Sequence, residues 1–164
     1  MNKILVSLVA ALALPIGAAH AVDHPQIKEG LWQIRTQSFD NPGNKKTEGT
    51  VTICRDHDFD KSVEALAKNV KGCTSINESF VGGKYSIEMR CETGGTVIVS
   101  KATGTFQGDT STHTETHATY TPAFYGNTDT TMIQDQRYLG TCPAGMRPGD
   151  KKSQDGTIVH LGKH

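Results

Sequence analysis

The chain has 164 residues with 17 basic and 17 acidic side chains, so its formal net charge is +0 at neutral pH. That balance excludes the strongly cationic field on which nucleic-acid or anionic-membrane binding depends. The length suits one domain with a real core and argues against two.

Residues 1–21 read as a secretory signal peptide. Lys3 supplies the positive start, Ile4 to Ile16 form an apolar stretch broken only by Ser7 and Pro15, and Ala19-His20-Ala21 places small residues where a signal peptidase cuts. The apolar stretch falls short of the roughly 20 residues a membrane-spanning helix needs. Cleavage after Ala21 leaves 143 residues (164 less 21) near net charge −1, because only Lys3 is lost among the charged groups. No Cys follows the cleavage point to carry a lipid. The expected location is the periplasm, with no transmembrane segment in the mature chain. Residues 22–150 are expected as a single β-rich domain, and residues 151–164 as a mobile, Lys- and His-containing tail.

The exported part carries Cys54, Cys73, Cys91 and Cys142. An even count in an oxidising compartment reads as two disulfides, and the wide gaps without Cys-x-x-Cys disfavour zinc or redox chemistry.

Leu31-Trp32-Gln33-Ile34-Arg35 and Val51-Thr52-Ile53-Cys54 predict two strands flanking an Asn41-Pro42-Gly43-Asn44 turn. Val63, Leu66, Ala67 and Val70 then fall on one helical face. Asp58 or Asp60 can cap that helix, and Gly72 can stop it. From Cys73 the period changes to two. Gly82-Gly83 predicts a tight hairpin whose return strand alternates Tyr85, Ile87, Met89 and Cys91. That register sets Thr74 against Cys91 and points Cys73 to the other face, so a Cys73–Cys91 bridge requires a bulge. Of the three pairings the preferred one is Cys54–Cys73, joining the strand before the helix to the strand after it, with Cys91–Cys142, tying the last strand and tail to the sheet. Further strands follow Gly94-Gly95 and Gly108-Asp109. The Thr- and His-rich segment 110–120 reads as an exposed or edge strand. A loop carrying Phe124 and Tyr125 precedes a last strand over residues 128–139. The expected fold is mainly β: a curved antiparallel meander of about seven strands, partly closed at most, with one packed helix.

Motifs for chemistry are weak. Asp56-His57-Asp58-Phe59-Asp60 begins like a calcium loop, but Lys61 and Ala67 stand where that loop needs Gly and Glu, so helix capping is the better reading. His113-Thr114-Glu115-Thr116-His117 on a strand separates its imidazoles by about 13 Å, too far for one ion. Neither a nucleophile elbow nor a phosphate-binding loop is present in the sequence. No catalytic, cofactor or metal residues are assigned. Phe124 and Tyr125 are the candidate contacts to a ligand or partner, because aromatics in a loop can anchor one.

Gly30-Leu31-Trp32-Gln33-Ile34, Thr52-Ile53-Cys54, Lys71-Gly72-Cys73, Tyr85-Ser86-Ile87-Glu88-Met89-Arg90-Cys91 and Leu139-Gly140-Thr141-Cys142 occur in that order. Together they resemble the exported proteobacterial family catalogued as domain of unknown function 3617, over roughly Lys28 to Asp150. The resemblance implies a periplasmic, β-rich protein and carries over no functional residues. The favoured function is a non-catalytic module that binds a small apolar ligand or an envelope protein. An inhibitor of a hydrolase or envelope-stress factor, acting through the Tyr120–Asn127 loop, and a hydrolase with a convergent site are the alternatives.

Overall fold

The computed structural model describes residues 25–161. The expected signal peptide and its cleavage point lie outside them. The described residues form β1 (Gly30–Asn41), β2 (Lys45–Arg55), α1 (His57–Lys68), β3 (Cys73–Val81), β4 (Lys84–Thr93), β5 (Thr96–Gln107), β6 (Ser111–Phe124), β7 (Asn127–Gly140), β8 (Asp150–Ser153) and β9 (Ile158–His160). All nine strands pair antiparallel in one open sheet ordered β3-β4-β5-β6-β7-β1-β2-β8-β9. The mainly β, single-helix architecture is thus as expected, with nine strands rather than seven.

The link from β2 to β3 dictates the curvature. It must cross five intervening strands, and β2 ends level with the Val81–Lys84 turn while β3 starts at the opposite end. In a flat sheet that gap would be about 29 Å across and about 30 Å along the strands. A 12-residue helix covers only about 18 Å, and residues 69–72 add about 14 Å. The sheet must therefore curl, and α1 spans its inner face as a strap.

Cross-strand partners share a face, so the register sorts the side chains. Trp32, Ile53 and Tyr138 form one inward row; Ile34, Gln136, Thr112 and Phe106 form the next; Thr36, Gln134, Thr114, Gly104 and Tyr85 form a third. Arg35, Asp135, His113, Glu115, His117 and Lys101 point outward. The buried cluster of Ile27, Trp32, Ile53 and Phe59, flanked by Ile34, Phe106 and Tyr138, sits at one end of the inner face. Trp32 is fully buried, and its indole donates to the Lys28 carbonyl at 2.7 Å. Because most of the inner face lies outside this cluster, much of it is only half-covered.

Several sequence expectations need correction. The disulfides are Cys54–Cys142 and Cys73–Cys91, the opposite of the preferred pairing. The cause is one residue. Val81 faces Lys84 as predicted, but a bulge at Ile76 shifts the ladder, so Ser75 faces Met89 and Cys73 faces Cys91. The Thr- and His-rich segment is no edge: β6 lies between β5 and β7 in mid-sheet. Of its inward side chains Thr112 is buried, and Thr114 faces a cleft rather than a packed layer. The segment expected as a mobile tail supplies β8, paired with β2, and β9. Asp150 secures that hairpin by accepting from the Arg147 amide and the His160 ring at 2.8 and 2.7 Å. In α1 the cap is Asp56, which accepts from the Phe59 amide at 2.7 Å. The helix closes at Asn69, three residues before Gly72. Gly72 serves the next strand: at φ 81° its carbonyl accepts from Glu92, where a Cβ would press on the Glu92 carbonyl oxygen.

Candidate functional site

Between α1 and the inner face lies a half-open cleft of about 880 Å³, a volume typical of small-molecule sites. Four features of the chain build it. The strap holds α1 across the sheet instead of letting it lie flat, and only Phe59 of its first turn is buried. Val63 and Leu66 remain about half exposed. The strands beneath carry small side chains where a packed layer would need large ones. On β5 this is Gly104, and on β6 Thr112 and Thr114; Ala102, Ser100, Thr116 and Ala118 continue the same face beyond the cleft. Tyr85 of β4 lies on one wall, and Gln136 and Gln134 of β7 on the other.

A polar seam runs along the second wall. Arg55 donates through Nε to Asp60 and through Nη1 to the Gln136 carbonyl oxygen, both at 2.7 Å. The Gln136 amide donates to Gln134 at 2.8 Å, and the Gln134 amide donates to Thr36 at 3.4 Å. The Arg55 guanidinium also sits 5.6 Å from the Trp32 ring centre, which ties the seam to the core. Opposite, Tyr85 donates to the Glu78 carboxylate at 2.9 Å. Burial first, and that hydrogen bond second, push its phenol above the ordinary range. The phenol is a fixed neutral donor.

His57 stands at the rim. One ring nitrogen lies 3.1 Å from the Ile27 carbonyl oxygen and the other 3.3 Å from Glu29, so both are engaged away from the cleft. Leu161, from the segment beyond β9, completes the lining at that end.

The residues singled out from sequence lie elsewhere. Phe124 and Tyr125 form the β6–β7 hairpin, with ring centres 4.5 Å apart, and Tyr125 is 91% exposed. They are ten residues or more from Thr114 along β6, about 33 Å, and do not line the cleft. His113 and His117 are on the outer face. His113 lies 2.7 Å from Asp135 and 3.2 Å from Glu115, while His117 lies 3.2 Å from the Thr131 hydroxyl. The Asp135 hydrogen bond, then that from Glu115, raise the His113 pKa. Among the described residues no group of three or more His, Cys, Asp or Glu is placed to hold a metal ion. No helix among them is long and apolar enough to cross a membrane. The sequence signal for the cleft was available in the run of small residues on β5 and β6, but it reads as a site only once both strands are central.

The family model described as protein of unknown function DUF3617 matches residues 27–142. The chain belongs to that family. The match begins at Ile27 of the buried cluster and ends at Cys142, so both disulfides and the cleft lining other than Pro25, Gln26 and Leu161 fall inside the family's own extent. The β8–β9 hairpin and Leu161 lie beyond it. Among curated proteins none matches the chain.

Proposed function

We propose that this is a periplasmic, non-catalytic ligand-binding module whose site is the cleft between α1 and the inner face of the sheet. The observation that carries the reading is the cleft itself: about 880 Å³ bounded by Ile34, Ile53, Phe59, Tyr85 and Phe106, with a few convergent polar groups. Export to an oxidising compartment rests on the signal-like residues 1–21 and on the pairing of all four cysteines. The non-catalytic reading rests on the engagement of His57 by Ile27 and Glu29 and on the outward placement of the His113–Asp135 pair. Among the described residues, His57 is the imidazole at the cleft, and its ring nitrogens are both engaged by these partners.

Two measurements test this. Native mass spectrometry of the mature protein, taken before and after denaturation, should reveal a retained small molecule that is lost on unfolding. Gly104→Leu supplies the structural control. Gly104 has an ordinary φ, and a Cβ there meets nothing closer than the Thr114 hydroxyl at 3.5 Å. A leucine should therefore fill the floor and abolish binding of an apolar fluorescent dye while the fold survives. Unchanged dye binding in a folded Gly104→Leu protein would place the site elsewhere. The β6–β7 hairpin would then become the candidate, as a contact to an envelope protein or hydrolase, because Tyr125 is presented almost fully to solvent.

A further inference from the structure

The hydrogen bonds along the Gln134 wall of the cleft run in one direction, and Arg55 sets that direction. A guanidinium only donates. Gln136 must therefore turn its carbonyl oxygen to Arg55 Nη1, at 2.7 Å, which leaves its amide nitrogen to donate to the Gln134 oxygen at 2.8 Å. Gln134 in turn donates to the Thr36 hydroxyl at 3.4 Å. The seam thus engages each carbonyl oxygen and leaves N–H groups over. Each glutamine keeps a second amide N–H, and Arg55 keeps three of its five N–H bonds after one from Nη1 to Gln136 and one from Nε to Asp60. Against these donors stands one spare lone pair on each glutamine oxygen. Arg55 Nη2 has no protein partner among the described residues, and no buried side-chain nitrogen among them lacks one, so Nη2 opens to the cleft that Arg55 lines.

The charge available to a ligand has the matching sign. Asp60 and Glu64, which line the cleft, are each held by a cation at 2.7 Å, Asp60 by Arg55 and Glu64 by Lys68. Lys61, also in the lining, lies 3.8 Å from Asp58, beyond hydrogen-bond reach, with both side chains largely in water. A bound carboxylate would join Asp60 in facing Arg55 and Lys61, two charges against two. A bound ammonium would set three cations against Asp60, an unbalanced charge drawn out of water. The apolar contacts are adjacent. Ile34, Gln136, Thr112 and Phe106 stand in one row on successive strands, and Phe59 of α1 lines the same cleft. Neighbouring strands are about 4.8 Å apart, so one small ring system bearing one carboxylate spans the donors and the apolar groups together. Resting on the cleft reading above, we infer that the ligand is a compact organic anion, its carboxylate received by Arg55, Gln134 and Gln136 and its apolar body by Ile34, Phe59 and Phe106.

Displacement of a bound, uncharged apolar dye by naphthoate, naphthamide and naphthylmethylammonium at neutral pH tests this with three heads on one ring. Naphthoate should compete about tenfold more tightly than either of the others, the size of one charge-assisted hydrogen bond. Gln134→Glu keeps the size of the side chain and replaces an N–H donor by a negative charge. Naphthoate should then lose its lead, and naphthylmethylammonium should overtake it. Lys61→Glu supplies a second variant, on the exposed surface of α1, with the same expected direction, should Gln134→Glu fail to fold. Naphthamide or naphthylmethylammonium binding as tightly as naphthoate would overturn the anion while leaving the cleft as the site. A naphthoate lead unchanged in both variants would overturn its assignment to this seam. Dye that binds but yields to none of the three would overturn the compact ligand class. Dye binding that persists in Gly104→Leu would bring down the cleft reading itself.

Discussion

Replacing Cys54 and Cys142 together by alanine should destabilise the protein more than replacing Cys73 and Cys91. The bridges close loops of 88 and 18 residues. In the chain-entropy account these contribute about 4.6 and about 3.2 kcal/mol at room temperature. Each double variant retains the other bridge alone, so the nesting of the shorter loop inside the longer one cancels and the expected difference is about 1.4 kcal/mol. Local packing acts in the same direction: Cys54 is fully buried, and its carbonyl accepts from Gly149 at the base of the β8–β9 hairpin. Against a total stability of about 5–15 kcal/mol, either loss is a large fraction. Urea titration of both double variants is the assay. With a slope of about 2 kcal/mol per molar, the Cys54/Cys142 variant should unfold roughly 0.7 M earlier than the Cys73/Cys91 variant. Equal midpoints, or the reverse order, would refute the loop argument. Peptide mapping that joined Cys54 to Cys73 would refute the pairing itself.

Other expectations concern the strap, the bulge and the outer face. Phe59→Ala removes the one buried side chain of α1 and should cost about 3–5 kcal/mol. Hydrogen exchange should then show α1 losing protection while β5–β7 keep theirs; equal loss everywhere would mean α1 is not separately anchored. Deleting Ile76 removes the extra residue of the bulge and leaves Cys73 opposite Cys91. Disulfide mapping should be unchanged, and loss of the bridge would show that the bulge does not set the register. Because the folded state binds the His113 proton more tightly than the unfolded chain, the cluster stabilises fully below the ordinary histidine pKa. That contribution is lost as pH rises through the raised folded value. Asp135→Asn should lower the His113 pKa in an NMR titration. Wild type should exceed this variant in stability most on the mildly acidic side, and a gap that widened with rising pH would contradict the assignment.

Local chemistry in the sequence reached as far as local structure did. The Gly82-Gly83 and Gly108-Asp109 turns, the alternation along β4 and the helical face of Val63 and Leu66 all depend on neighbours within a few residues. They predicted a mainly β chain with one helix. Three features depended on contacts far apart in the chain. The bulge at Ile76 decides which cysteines meet, and no periodicity marks it, because an added residue at one point reverses the face of everything beyond it. The central place of β6 comes from β7 pairing with β1 across roughly 100 residues of sequence. Without that pairing, a run of Thr, His and Ala has the composition of an edge. The cleft needs both the strap of α1 and the small floor of β5 and β6, and neither segment alone indicates a cavity. Sequence alone therefore determined the elements and their composition; the tertiary structure decided which faces meet, since a face is defined only by what is placed across from it.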